Sequence, residues 1–282
     1  MPANEPTTID IGIYGLHWRL VQKEPLLTDR PFDSHNIAFW DAAQQQYVAY
    51  TRGTRQGGRP GAGMSTGFKG GVRAIRRATS KDFRRWTGLS LIDIGPPPLK
   101  HLYTDATVVY DRAPGFYFMF PSRYANERKP NPGVNDIVLL SSRNGVRFER
   151  TFMEAFVRPG LDQGNWRLDT VHIRRLTLRP DGFVSVQAPY DGGEPVTRPV
   201  RFTGNVLRLN YSTSVVGSLK VEIQDAKGAP IRGFSLDDCP VIYGDRLNTP
   251  VKWTKGDDVS NLSVRLRFVM QDADLFAFRF AK

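Results

Sequence analysis

A single cysteine, Cys239, stands in 282 residues, so no internal disulfide framework is available. Its place before Pro240 reads as a small buried side chain rather than a nucleophile. No apolar run approaches the roughly 18 residues of a membrane span. The opening stretch MPANEPTTID has no apolar core of a signal peptide, so no export signal is read in this chain. Acids are fewer than bases, 28 against 39, which leaves a net charge of +11. That excess permits a basic scaffold that holds anionic polymers. The arginines are scattered, however, and helix-turn-helix, zinc-finger and RNA-recognition signatures are absent. The densest group, VRAIRRATSKDFRRW (Val72 to Trp86), alternates like a strand and a turn. A solvated basic face is therefore expected, with no nucleic-acid partner. No serine sits in a G-x-S-x-G elbow. No His/Asp/Glu group has metal-ligand spacing, and neither a metal nor a cofactor is expected. The Gly-rich stretch Gly57 to Gly71 is neither a Walker loop nor a dinucleotide fingerprint. It reads as a loop between strands, with a substrate-covering role as the alternative. No stretch has the period of an amphipathic helix.

Aromatic residues and turn formers are plentiful. The chain has 5 Trp, 17 Phe and 10 Tyr, enough for a large core, and 26 Gly and 20 Pro, which suit short strands joined by turns. Three segments echo one another: YGLHW ending at Trp18, SKDFRRW (Ser80 to Trp86) and SRNGVRF (Ser142 to Phe148). RPDGF (Arg179 to Phe183) is a partial fourth. The Asp/Asn residue with its follower makes a tight turn, and the aromatic anchors the next strand. Between these turns, IAFWD and YVAYTR form one hairpin pattern, and ATVVYD and FYFMFPSR another. Recurrence at this spacing predicts four-stranded sheets arrayed about an axis, a β-propeller. From about Pro195 the strands become closely spaced and antiparallel, with turns at DAKGAP and MQDAD. The expected fold is all-β, with a propeller over 1–194 and a β-sandwich over 195–282.

In the stretch PFDSHNIAFWD (Pro31 to Asp41), four polar groups precede an apolar strand. They either close a turn or line a site. The mouth of a propeller channel is where inner strands begin, and acids fall near such starts. Asp33 precedes IAFW, Asp105 precedes ATVVY, and Glu154 lies in the third repeat. Two carboxylates across a glycosidic bond suffice for its hydrolysis: one protonates the leaving oxygen and the other activates water or attacks the sugar. A third carboxylate tunes the acid. Asp33 also reads as an Asx-turn, and Glu154 as an exposed acid on an outer strand. His35, Asn36, His101 and Tyr103 are placed to bind sugar hydroxyls. Arg123 follows an apolar strand and is placed to reach the channel or to pair with an acid. Trp166 is suited to stack on a sugar face.

The segments PFDSHNIAFWD, LYTDA, FPSRY, SSRNG, EAFVRPGLDQGNW, RPDGFVSVQAPYDGG and DADLFAFRF resemble bacterial glycosyl hydrolase-like proteins. That group is related to the five-bladed propeller superfamily that includes families 32 and 43. The resemblance covers nearly the whole chain. It implies a blade-one Asp as base, matched by Asp33, a second Asp as pKa modulator, matched by Asp105, and a Glu as acid, carried to Glu154 by its place in the third repeat. It also implies a polysaccharide or oligosaccharide substrate. Two departures point to a shortened, partial propeller. The chain opens at IYGLHW, which resembles the end of a blade. Only Arg167 to His172 separate DQGNW from the next strand pattern. A non-catalytic carbohydrate-binding propeller is the alternative reading.

Overall fold

The computed structural model describes residues 10–13 and 17–20 by backbone alone, and residues 22–29, 32, 34–55, 71–96, 100–125, 134–151, 153–158, 175–260 and 264–282 with their side chains. Among these the chain is all-β, with sixteen strands and no helix. It divides into two compact units, Met1–Val171 and His172–Lys282. The division falls before the RPDGF echo rather than at Pro195, because residues 175–194 join the second unit through strand pairing described below.

In the first unit, β1 (Asp10–Ile13) and β2 (His17–Leu20) pair antiparallel. β3 (Ile37–Asp41), β4 (Gln46–Arg55), β5 (Val72–Ser80) and β6 (Ser90–Leu91) form a four-stranded antiparallel sheet in chain order. This is the up-and-down sheet expected from the hairpin pattern. IAFWD is less buried than an inner apolar strand should be. It alternates, with Ala38 and Trp40 exposed and only Asp41 fully buried.

β7 (His101–Leu102), β8 (Thr107–Val109), β9 (Tyr117–Met119), β10 (Ser122–Ala125), β11 (Val134–Ile137) and β12 (Leu140–Ser142) form two three-stranded sheets, ordered β11-β10-β7 and β12-β9-β8. The two are halves of one creased ribbon. Register runs unbroken across the crease on one side, from Ser122↔Ile137 to Met119↔Leu140. On the other side the first strand advances five residues, Leu102 to Thr107, while its partner advances four, Arg123 to Met119. The extra residue is a β-bulge, a device that re-aims side chains. Ala106 in this bulge has φ +31°, a left-handed value that costs a non-glycine residue conformational energy.

The repeated turns have a common construction. Asp82 Oδ1 accepts the N–H groups of Arg84 (2.9 Å) and Arg85 (2.8 Å), while Asn144 Oδ1 accepts those of Val146 (3.0 Å) and Arg147 (2.9 Å). Ser80 and Ser142 each receive the N–H two residues on, at 3.3 and 3.2 Å. Phe83 (φ +62°) and Gly145 (φ +68°) occupy the same left-handed position. The aromatics then return to the sheet. Phe148 is buried in a core with Val48, Tyr50, Ile75, Ile92, Tyr117 and Leu140, which joins the apolar faces of both sheets.

In the second unit, β13 (Val186–Ala188), β14 (Val206–Gln224), β15 (Asp245–Pro250) and β16 (Arg265–Ala281) form one sheet ordered β13-β16-β14-β15. β14 and β16, of 19 and 17 residues, pair along most of their length. Register shifts between Thr213 and Ser218, opposite Asp272 with φ +43°. Across that shift the buried side chains of β16 pass from Leu266, Phe268 and Met270 to Ala273 and Leu275, so the same face of the sheet stays on the core. The expected sandwich needs a second, facing sheet. Among the described residues there is one bent sheet, with segments bridged to it singly, such as Leu219↔Ile242 and Gln224↔Pro230. The closely spaced strand patterns are arms of two long strands, each bent at a bulge. Cys239 is buried, with Sγ 3.4 Å from the Val221 N–H, as its sequence position suggested.

Candidate functional site

The polar half of PFDSHNIAFWD both closes a turn and meets the crease. Asn36 closes the turn. Its Nδ2 donates to the carbonyls of Phe32 (3.0 Å) and Ser34 (2.8 Å), and its Oδ1 accepts the Arg52 N–H at 3.4 Å. The Asn36 amide thereby holds the loop against β4. Ser34 Oγ donates to the Tyr103 carbonyl at 3.0 Å, which docks the loop on the bulge. The bulge is held from its other side, where the Tyr103 N–H donates to the Ser122 carbonyl (2.7 Å) and Thr104 Oγ1 accepts the Ser122 N–H (2.9 Å).

These contacts bring His35 and Asp105 together. His35 Nδ1 lies 2.9 Å from Asp105 Oδ1; the imidazole side chain is 46% exposed and the acid 1%. The Ala106 N–H donates to the same Nδ1 at 3.3 Å. Neither oxygen of Asp105 accepts a well-formed hydrogen bond from a described donor. Burial pushes the Asp105 pKa up to about 8, and the N–H groups of Ala106 and Asp105 offset only part of that. A carboxyl in an apolar setting is driven to its neutral form because desolvation penalises the anion.

Beside the pair is a cation–aromatic wall. The guanidinium groups of Arg52 and Arg73 lie 5.0 and 5.1 Å from the centre of the Tyr103 ring, and that of Arg73 lies 4.8 Å from Tyr124. His101 Nδ1 accepts the Arg73 N–H at 3.1 Å, and its ring meets Tyr124 edge-on. His101 and Tyr103 thus lie in one cluster next to His35. Arg52, Arg73 and Tyr124 were not singled out in the sequence. The signal for Arg52 was an arginine inside the apolar run YVAYTRG, where a cation needs partners.

The remaining sequence candidates fall elsewhere. Arg123 pairs with Asp136 in two contacts, Nε–Oδ1 at 2.9 Å and Nη2–Oδ2 at 2.5 Å, and its Nη1 donates to the Met153 carbonyl at 2.6 Å. Of the two expectations for Arg123, the pair with an acid is the one realised. Arg123 and Met153 border an apolar cavity of about 20 Å³, room for about one water and too little for a sugar ring. Glu154, next to Met153, is exposed. Asp33 and Trp166 lie outside the described residues, as do most of the Gly-rich stretch and the short junction after GNW.

No family model matches the chain, and no curated protein does. Two solved structures are similar at low scores. One is an N-acetylgalactosamine deacetylase from F. plautii in complex with blood group B trisaccharide, with a TM-score of 0.37 and 11% identity over 90% of this chain and 53% of that one. The other is a family 43 arabinoxylan arabinofuranohydrolase from Bacillus subtilis in complex with cellotetraose, with a TM-score of 0.29 and 12% identity over 94% of this chain and 72% of that one. The chain thus spans about half the length of the deacetylase it matches. Likeness at this level assigns neither activity nor substrate.

Proposed function

We propose that this protein acts on a polysaccharide or oligosaccharide through carboxylate acid–base chemistry, on a partial five-bladed propeller followed by a sandwich-like unit. The observation that carries the reading is Asp105, a buried acid whose pKa is pushed up to about 8, so that it holds its proton at neutral pH. Glycoside hydrolysis needs such a proton for the leaving oxygen. On the family resemblance alone, Asp33 is assigned the base and Glu154 the acid, with Asp105 as the modulator of its pKa. The two similar turns and the four-stranded sheet β3–β6, which carries the first of them between β5 and β6, support the blade plan. His35, His101, Tyr103 and Trp166 are assigned to sugar contacts. Reducing-sugar release from a glycan panel tests this. Wild type should release sugar and Asp33→Ala should release at least about a hundredfold less, in the range of lost acid–base catalysis. Equal rates would remove Asp33 from the site.

A non-catalytic carbohydrate-binding role is the second reading. What favours it is the 1% exposure of Asp105, which seals its carboxyl from solvent. Glycan-array binding together with blank hydrolysis assays would select it.

A further inference from the structure

Four aromatic rings stand in a row on the surface of the first unit, at the end of β3 away from His35. Trp40 and Tyr47 are partners across β3 and β4. Their neighbours Phe39 and Val48 pack on the core, so strand alternation turns Trp40 and Tyr47 to the opposite face. Phe83 and Trp86 come from the turn between β5 and β6. Ring centres lie 4.9 Å apart from Trp40 to Tyr47, 4.9 Å from Tyr47 to Phe83 and 5.5 Å from Phe83 to Trp86, each pair edge-on. Edge-on contacts are a favoured aromatic arrangement and hold the row in place. Trp40 is 46% exposed, and the other three rings are half-buried.

The similar turn at Ser142 to Phe148 is built without such a display. Gly145 takes its left-handed position, and Phe148 is buried in the core. In the first turn Phe83 takes the left-handed position, at φ +62°, where glycine would be free of strain. Trp86, in the place of Phe148, stays at the surface. A bulky residue kept in a strained conformation with its ring part-exposed points to a surface with a use. Cations flank the row. Lys81, Arg84 and Arg85 are exposed, and Asp82 is the one acid in that turn. Arg85 Nε pairs with Asp82 Oδ2 at 3.0 Å. Lys81 Nζ donates to the Gln45 carbonyl at 3.0 Å, which brings the turn against the β3–β4 hairpin.

We propose that this row is a binding platform for an acidic polysaccharide, a chain that contains uronate sugars, separate from the Asp105 site. It takes from the proposed function only the ligand class, a glycan. The exposed indole of Trp40 offers an apolar face to the C–H face of a pyranose ring. The guanidinium groups of Arg84 and Arg85 suit the carboxylate of a uronate. Three cations against one acid is a sparse charge. Non-specific nucleic-acid binding draws essentially all its affinity from phosphate contacts, and this surface supplies few. A glycan gains from stacking as well as from charge, so few cations suffice.

The test is calorimetric titration of the full chain with polygalacturonate, alginate and hyaluronate, beside methyl-esterified polygalacturonate and polyuridylate. Wild type should bind at least one of the uronate polymers, and more tightly than the ester or polyuridylate. Trp40→Ala should weaken that binding about tenfold or more. Arg84→Ala should weaken it about threefold at low salt and leave it unchanged at high salt, because an exposed charge is screened. Phe83→Gly separates binding from folding. It removes the ring and relieves the backbone, so affinity should fall about tenfold while the urea midpoint changes little. If Phe83→Gly unfolds the chain, Trp40→Ala and Arg84→Ala decide. Binding to none of the uronate polymers, or binding that Trp40→Ala leaves intact, overturns the platform. Equal affinity for the methyl ester overturns its acidic specificity, and tighter binding of polyuridylate makes it a nucleic-acid surface instead. Dimerisation by sedimentation that Trp40→Ala abolishes would make the row an interface between copies of this chain. Hydrolysis is not read in any arm, so a blank hydrolysis assay bears on the acid–base reading alone.

Discussion

Two buried aspartates lie at opposite ends of the same sheets, and their surroundings differ. Asp41, at the end of β3, accepts the N–H groups of Ala43 and Gln44, both at 3.0 Å, and the hydroxyl of Tyr117. Gln44 extends that network to Tyr117 Oη (2.7 Å), to the Asn144 carbonyl (3.0 Å) and to Arg77 (2.9 Å), and Tyr50 Oη donates to the Gly145 carbonyl at 2.7 Å. Burial and the bond to Asp41 push the Tyr117 pKa up to about 12. Asp105, at the other end, has an imidazole at 2.9 Å and no well-formed hydrogen bond from a described donor. A satisfied buried network fixes structure. A buried acid left without donors holds a proton that can be moved, and such sites concentrate function.

The largest expected effect concerns Asp105. Its pKa rises from 3.8 unfolded to about 8 folded, so the folded chain binds more protons between those values. Stability is fully present below about pH 4 and is lost as pH rises to about 8. The loss is at most about 6 kcal/mol. Urea unfolding of Asp105→Asn across this window should show a flatter profile than wild type. Parallel profiles would mean that the acid is not held neutral.

Asp41→Ala comes next. It strands two N–H groups and a hydroxyl in the interior, and a loss of about 3 kcal/mol is expected at pH 7. By contrast, Asp105→Asn at pH 5 should cost under about 1 kcal/mol, since an amide replaces a neutral acid. A similar cost at both sites would erase the distinction between the two ends.

At the His35 end, Gly53 tests packing. A Cβ there would stand 2.5 Å from Arg76 Cγ. Arg76 cannot easily yield, because it donates to Asp29 Oδ2 (2.9 Å), the Asp29 carbonyl (2.7 Å) and the Arg52 carbonyl (3.0 Å). Gly53→Ala should cost about 2 kcal/mol by thermal or urea unfolding. An unchanged midpoint would show that this end is loosely packed.

The smallest effect is at the repeated turn of the Asp41 end. Ser142→Ala removes the acceptor of the Asn144 and Gly145 N–H groups, at 3.2 and 2.9 Å. About 1 kcal/mol should be lost, read as a shift in urea midpoint with unchanged slope.

The turns were legible because their chemistry is local. Ser, then Asp or Asn, then a left-handed residue complete their hydrogen bonds within six residues, so SKDFRRW and SRNGVRF announced themselves. The hairpins and the all-β class followed from period-two alternation in the same way. That the stretch after RPDGF joins the second unit was not legible, because β13 pairs with β16, nearly ninety residues away, and nothing in RPDGF records that partner. The continuity of β14 and β16 was not legible, because a bulge in a long strand looks, in one dimension, like a turn between two short ones.

Sequence alone determined which acids precede strands, and Asp105 was among them. It also supplied His35 as a polar group at a strand mouth. Tertiary structure decided that the two meet, that one is sealed from water and the other is not, that Asn36 bonds its own loop and that Arg123 pairs with Asp136. The physical reason is that proton affinity depends on desolvation and on the donors within reach. Both are set at Asp105 by the one-residue bulge and by a loop some seventy positions earlier in the chain.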